Sequence, residues 1–183
     1  MKFKRVISVV LCIMMLLGNA GIVVNSAAAT VVASGECGEN ATWVLDSDGV
    51  LTISGYGEME NYYVSSVNDS NEGNDRFAPW YYYCFYYGVA LKKVIIEDGI
   101  TNIGDFAFIE WETLKDVVLP DSITSIGEFA FCGCGFSNFT IPDTVTDIRE
   151  GAFYSSQLTD VTIPGSIKNI ELAMALVSCE DLK

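Results

Sequence analysis

LKDVVLPDSITSIGEFAFCGCG, residues 114–135, reads as one turn of a repeating structure. Val117 and Leu119 alternate with outward positions, which makes a short strand with one buried face. Pro120 stands at the end of that strand, where the missing N–H costs least. Asp121-Ser122 is a turn, Ile123 to Ile126 a second short extended piece, and Gly127 marks a bend. Glu128-Phe129-Ala130-Phe131 leaves room for a helical turn or two. A unit this small cannot close a core alone, so copies must stack against one another.

Copies are present on both sides. Residues 91–113 read LKKVIIEDGITNIGDFAFIEWET, residues 136–157 FSNFTIPDTVTDIREGAFYSSQ, and residues 158–181 LTDVTIPGSIKNIELAMALVSCED; a fifth unit opens at Leu182-Lys183. Pro120, Pro142 and Pro164 keep one phase, as do Ile103, Ile126, Ile148 and Ile170. The pair Ala107-Phe108 recurs as Ala130-Phe131 and Ala152-Phe153, then weakens to Ala175-Leu176. Coincidence at so many positions specifies a solenoid of stacked coils, with a parallel sheet of short strands along one side. Carried back by one period, the phase sets Trp80 against Ile103 and Cys84-Phe85 against Ala107-Phe108. PWYYYCFYYGVA, residues 79–90, is then a degenerate unit with Trp80 and Phe85 inside. The sharper alternative for its aromatics is a carbohydrate-stacking platform.

The front of the chain is different. Lys2, Lys4 and Arg5 precede the apolar run VISVVLCIMMLL and the small residues Ala27-Ala28-Ala29, the pattern of a secretory signal peptide cleaved after Ala29. The run is short for a membrane span. Within 35–63, Thr42 to Leu45 and Val50 to Ser54 flank Asp46-Ser47-Asp48-Gly49, a β-hairpin signal. The D-x-D-G tetrapeptide lacks the remaining ligands of a calcium loop, so the turn is the reading adopted. Residues 69–75, DSNEGND, form a polar loop. The expected organisation is a signal peptide over 1–29, a β-hairpin capping module with its polar loop over 30–78, and a solenoid of about four to five coils over 79–183, the last incomplete. Its open end invites self-association.

Composition narrows the function. The 183 residues hold 10 basic and 24 acidic side chains, a net charge of −14; signal cleavage removes three basic residues and takes it to −17. Such acidity excludes a nucleic-acid partner. The chain has no histidine, which removes Ser-His-Asp and Cys-His catalysis and His-ligated metals. P-loop, HExxH and GxSxG motifs are absent from the sequence, and GYGEME at Gly55 falls short of a dinucleotide fingerprint. No enzyme activity, cofactor or metal is expected. Cys37, Cys84, Cys132, Cys134 and Cys179 are odd in number and read as small buried apolar residues.

The strand face is the expected binding surface. Between the buried positions of each LxxVxI segment, three outward rows run across the coils. They are Ile95, Val118, Thr140 and Thr162; Lys92, Lys115, Ser137 and Thr159; and Lys93, Asp116, Asn138 and Asp160. Lys92, Lys93 and Lys115 concentrate scarce positive charge at one end, which suits an acidic or glycan partner.

IPDTVTDIREGAF and LPDSITSIGEFAFCGC resemble the BspA-like leucine-rich repeat family, and GECGENATWVLDSDGVLTISGYGEM followed by APWY resembles the module that precedes such repeats in secreted bacterial proteins. The likeness spans roughly residues 34–183, with the fourth unit departing at Glu171-Leu172 and Ala175-Leu176. It implies a mainly β leucine-rich-repeat solenoid, secreted or at the cell surface, binding an extracellular protein or glycan without catalysis. A structural spacer, or the N-terminal part of a longer surface protein or enzyme, is the alternative.

Overall fold

The computed structural model describes residues 28–64 and 76–168. The expected signal segment up to residue 27, the polar loop at 69–75 and the end of the fourth unit, with Ile170, Cys179 and Leu182-Lys183, lie outside the described residues.

The chain opens with three strands: β1 (Val31–Glu36), β2 (Ala41–Asp46) and β3 (Val50–Gly55). β2 and β3 are the expected antiparallel hairpin, with Trp43 opposite Ile53 and Leu45 opposite Leu51. The Asp46 carboxylate closes the turn by accepting the N–H groups of Asp48 and Val50, each at 2.9 Å. An acceptor engaged in this way supports the turn reading of D-x-D-G. β1 adds an antiparallel strand outside the hairpin; neighbouring glycine and serine had disguised it in the sequence.

Then come α1 (Pro79–Tyr87), β4 (Lys93–Ile96), β5 (Asn102–Ile103), β6 (Asp116–Val118), β7 (Ser125–Ile126), β8 (Asn138–Thr140), β9 (Asp147–Ile148) and β10 (Asp160–Thr162). β3 pairs in parallel with β4, and β4 with β6, so the hairpin continues the sheet of the coils. A cap joined this way spends the free edge of the first coil on backbone hydrogen bonds. The second extended pieces stack as a separate parallel ladder, β5 to β7 to β9. The result is a mainly β solenoid, with one short helix among the described residues.

The strand face is divided between two sheets. β1, β2, β3, β4 and β6 make one of five strands, in that order, and β8 pairs in parallel with β10 in a second. The division falls where the third unit carries Phe136 and Phe139 in place of the leucine and valine of its neighbours. Both rings are buried and crowd Phe131, at 5.8 and 5.2 Å between centroids.

Inside, one aromatic side chain per unit forms a column. Trp80 stacks on Phe108 at 5.4 Å, Phe108 on Phe131 at 5.3 Å, and Phe131 on Phe153 at 5.8 Å, with planes within 19° of parallel. All four are 0 % exposed. The Trp80 indole N–H also donates to the Ala107 carbonyl at 3.0 Å. Coils are tied along the same line by the N–H groups of Phe108 and Phe131, which donate to the carbonyls of Ala130 and Ala152. Gly127 serves close approach: a Cβ there would sit 2.6 Å from the Asp105 nitrogen of the preceding coil.

The backward phase is right about Trp80 and wrong about Phe85, which is 82 % exposed. The reason is the helix. Pro79 sets the helical φ at the first position, and Gly88, with φ 66°, ends it in a left-handed cap. A helix advances about 1.5 Å per residue against about 3.3 Å in a strand, so a phase counted in residues fails across it. Trp80 heads the column that Phe85 was expected to head, and Cys84, one turn on, packs inward.

Phe131→Ala should cost about 3–5 kcal/mol, because the ring is enclosed by neighbours above and below. Urea unfolding of both proteins measures it; a loss under about 1 kcal/mol, ordinary for a surface site, would contradict the column.

Candidate binding surface

Alternation along β4 buries Val94 and Ile96 and turns Lys93 and Ile95 outward. In β6 the same alternation leaves Asp116 and Val118 exposed, in β8 Asn138 and Thr140, and in β10 Asp160 and Thr162. The structure brings the candidate residues together in two groups. Ile95 lies opposite Val118 and Lys93 opposite Asp116 in the larger sheet. Asn138 lies opposite Asp160 and Thr140 opposite Thr162 in the smaller one.

The larger sheet extends the first row toward the N-terminus. Val44 faces Thr52, and Thr52 faces Ile95, so Val44, Thr52, Ile95 and Val118 form one row across four strands. Val118 is 43 % exposed. The sequence reading missed Val44 and Thr52 because it treated the hairpin as a lid and not as part of the sheet.

The basic end is largely engaged within the chain. Lys93 Nζ pairs with Asp116 at 2.5 Å. Lys115 Nζ donates to the Gly135 carbonyl at 2.6 Å and reaches Gln157 Oε1 at 3.3 Å, spanning the division between the sheets. Lys92 is exposed, and its backbone carbonyl accepts the Lys115 N–H at 2.9 Å. On the ladder of second strands, Arg149 reaches back two units to Asp105 at 3.1 Å. Burial raises the carboxyl of Glu128, and the charges of Asp105 and Glu150 add to it.

Among the described residues the interior offers no reactive thiol. Cys37, Cys84, Cys132 and Cys134 are free and buried, as expected; Cys179 lies outside the described residues. Burial, reinforced by Glu60, pushes the Cys37 thiol up to about 12, and burial alone pushes Cys84 up to about 11. Burial, then Glu110, pushes Cys132 up to about 11, and burial raises Cys134 as well. Among the described residues no cluster of ligating side chains could hold a metal ion. No helix among them is long and apolar enough to cross a membrane.

Coils of this length, with this column and these outward rows, define a leucine-rich-repeat protein. The chain belongs to the family of the BspA type leucine-rich repeat region, whose profile matches residues 80–183 in six copies. A leucine-rich repeat protein from Eubacterium ventriosum shares the fold, with a TM-score of 0.53 and 24 % identity over 82 % of this chain. A leucine-rich cell surface protein from Faecalibacterium prausnitzii does so with a TM-score of 0.54 and 21 % identity over 80 % of this chain. The chain spans 43 % and 38 % of their lengths, respectively. Comparison with curated proteins returned no match.

The buried thiols make stability depend on alkaline pH. Unfolded thiols titrate near 9.0, whereas Cys37, Cys84 and Cys132 hold their protons to about 11 or 12 when folded. The folded state therefore binds more protons in that interval, and stability is lost as pH rises through it. Denaturant midpoints should be level below about pH 9 and decline above it, and replacing Cys37 and Cys84 with alanine should flatten the decline.

Proposed function

We propose that the protein is an extracellular binding module, secreted or displayed at the cell surface, that holds a protein or glycan partner on its outer strand face and performs no catalysis. The observation that carries this reading is the row Val44, Thr52, Ile95 and Val118, in register across four strands of a single sheet. A hydrogen-bonded sheet on a packed core keeps such a row at fixed spacing, so a partner meets little ordering cost. The tripartite start of the sequence supports export. Adhesion is the biological form this takes, with Ile95 and Val118 as apolar contacts. Lys92, Lys93, Lys115, Asp116, Asn138, Thr140, Asp160 and Thr162 form its polar surround.

Charge enters through Lys92. Because Lys93 and Lys115 already have partners in the chain, Lys92 contributes most to steering an acidic partner toward this end. A second reading, a spacer or the N-terminal part of a longer surface protein or enzyme, draws on the greater length of the two solved relatives. It differs in requiring no face-specific binding.

The distinguishing experiment pairs Lys92→Glu with Val118→Glu, both on the exposed surface. Binding to immobilised matrix proteins and mucin should fall about tenfold or more, while thermal stability stays within the range of surface changes, about 0.5 kcal/mol. Equal binding by a folded double variant would remove the strand face as the site.

A further inference from the structure

Helix α1 leaves a cluster of aromatic rings in solvent that the fold does not require. Tyr82 is 56 % exposed, Tyr83 36 %, Phe85 82 %, Tyr86 81 % and Tyr87 59 %. These five side chains line a shallow cleft of about 240 Å³. We propose that this cleft is a binding site for a neutral glycan chain, separate from the strand face.

The helix that carries the rings is held to the fold. Tyr83 packs against the buried Trp43 at 5.4 Å. Tyr81, at the inner edge of the helix, is stacked on Phe77 at 4.3 Å and edged by Trp111 at 5.9 Å. Tyr81 and Phe85 lie 6.4 Å apart with planes 3° from parallel, and Tyr83 and Tyr87 6.1 Å apart with planes 8° from parallel. This is the i, i+4 spacing of a helix, fixed at its ends by Pro79 and Gly88. An anchored helix with two-χ side chains loses little freedom when a ligand arrives.

The chemistry selects the occupant. Pyranose rings have apolar C–H faces and a rim of hydroxyls. Aromatic faces meet the first, and the phenols of four tyrosines meet the second. Segment 79–87 carries no side chain charged at neutral pH, in a chain with a net charge of −14. A polyanion would be repelled by the whole molecule, and a cationic partner would find no carboxylate on this helix. The lining contains no aliphatic side chain, whereas the apolar core of a protein contact or a lipid surface draws on leucine, isoleucine and methionine as well. An open, all-aromatic lining with a few hydroxyls suits the face of a sugar ring. The repeat of rings along the helix suits successive sugar units of an extended chain.

The test titrates the full chain with soluble cello-, xylo-, malto- and chito-oligosaccharides, read by isothermal calorimetry and tyrosine fluorescence. At least one series should bind, more tightly with chain length. Phe85→Ala combined with Tyr86→Ala should weaken it about tenfold or more without altering thermal unfolding, since both side chains lie in solvent. Lys92→Glu with Val118→Glu should bind the sugars normally, which separates this site from the strand face. Absence of binding by every series overturns the proposal, as does unchanged binding by the aromatic variant. Sedimentation showing a dimer that the aromatic variant loses would assign the cleft to a second copy. Binding to neutral phosphatidylcholine vesicles in place of sugars would assign it to a bilayer.

Discussion

In each of the three coils from Leu91 to Gln157 one buried phenylalanine ring, Phe108, Phe131 or Phe153, packs against the ring of a neighbouring coil. That contact organises the molecule. A unit of 22 or 23 residues with two short strands cannot surround a phenyl ring, but three adjacent units can. The column from Trp80 to Phe153 is the consequence, and the inter-coil hydrogen bonds on either side follow from it. Once rings stack at 5.3 to 5.8 Å, strands on neighbouring coils lie close enough to pair in parallel.

A stack of this kind has two ends and at least one outer face, and the chain treats them differently. At the N-terminal end the free edge of β4 is taken by β3, so the cap and the first two strands of the candidate face, β4 and β6, are one sheet. Trp80 closes the column from that side, and its helix covers the ring while presenting its own aromatics outward. Between the second and third coils, where Phe136 and Phe139 crowd the interior, Lys115 reaches across to Gln157. Lysines that look free for a partner in the sequence are thus partly structural. The candidate surface depends more on the register of Ile95 with Val118 than on clustered charge.

The repeat was plain in the sequence because one spacing recurs in proline, isoleucine and Ala-Phe together, and burial follows it faithfully at Ile103, Ile126 and Ile148. The hairpin was plain because Asp-Gly sits between alternating runs. Four features were hidden, each for a physical reason. β1 opens on two valines, but the small and polar residues Ala33 to Glu36 break the alternation, and its strand state comes from pairing with β2. The helix in PWYYYCFYY has aromatics on every side and so no helical periodicity; only Pro79 and Gly88 marked its ends. Residue phase could not foresee that helix compression would exchange Trp80 for Phe85. The internal bonds of Lys93 and Lys115 involve partners about one or two periods away, which no local reading supplies.

The dependence of each coil on its neighbours can be measured by native-state hydrogen exchange. Some amides bond within a coil, such as Ala107 to Gly104, Ala130 to Gly127 and Val145 to Pro142. Others bond between coils, such as Phe108 to Ala130, Phe131 to Ala152 and Thr124 to Thr101. The account predicts that no within-coil amide outlasts the between-coil amides that flank it, since a coil separated from its neighbours has no core. Within-coil amides that stay protected after the between-coil amides have exchanged would show coils stable on their own, and would contradict it.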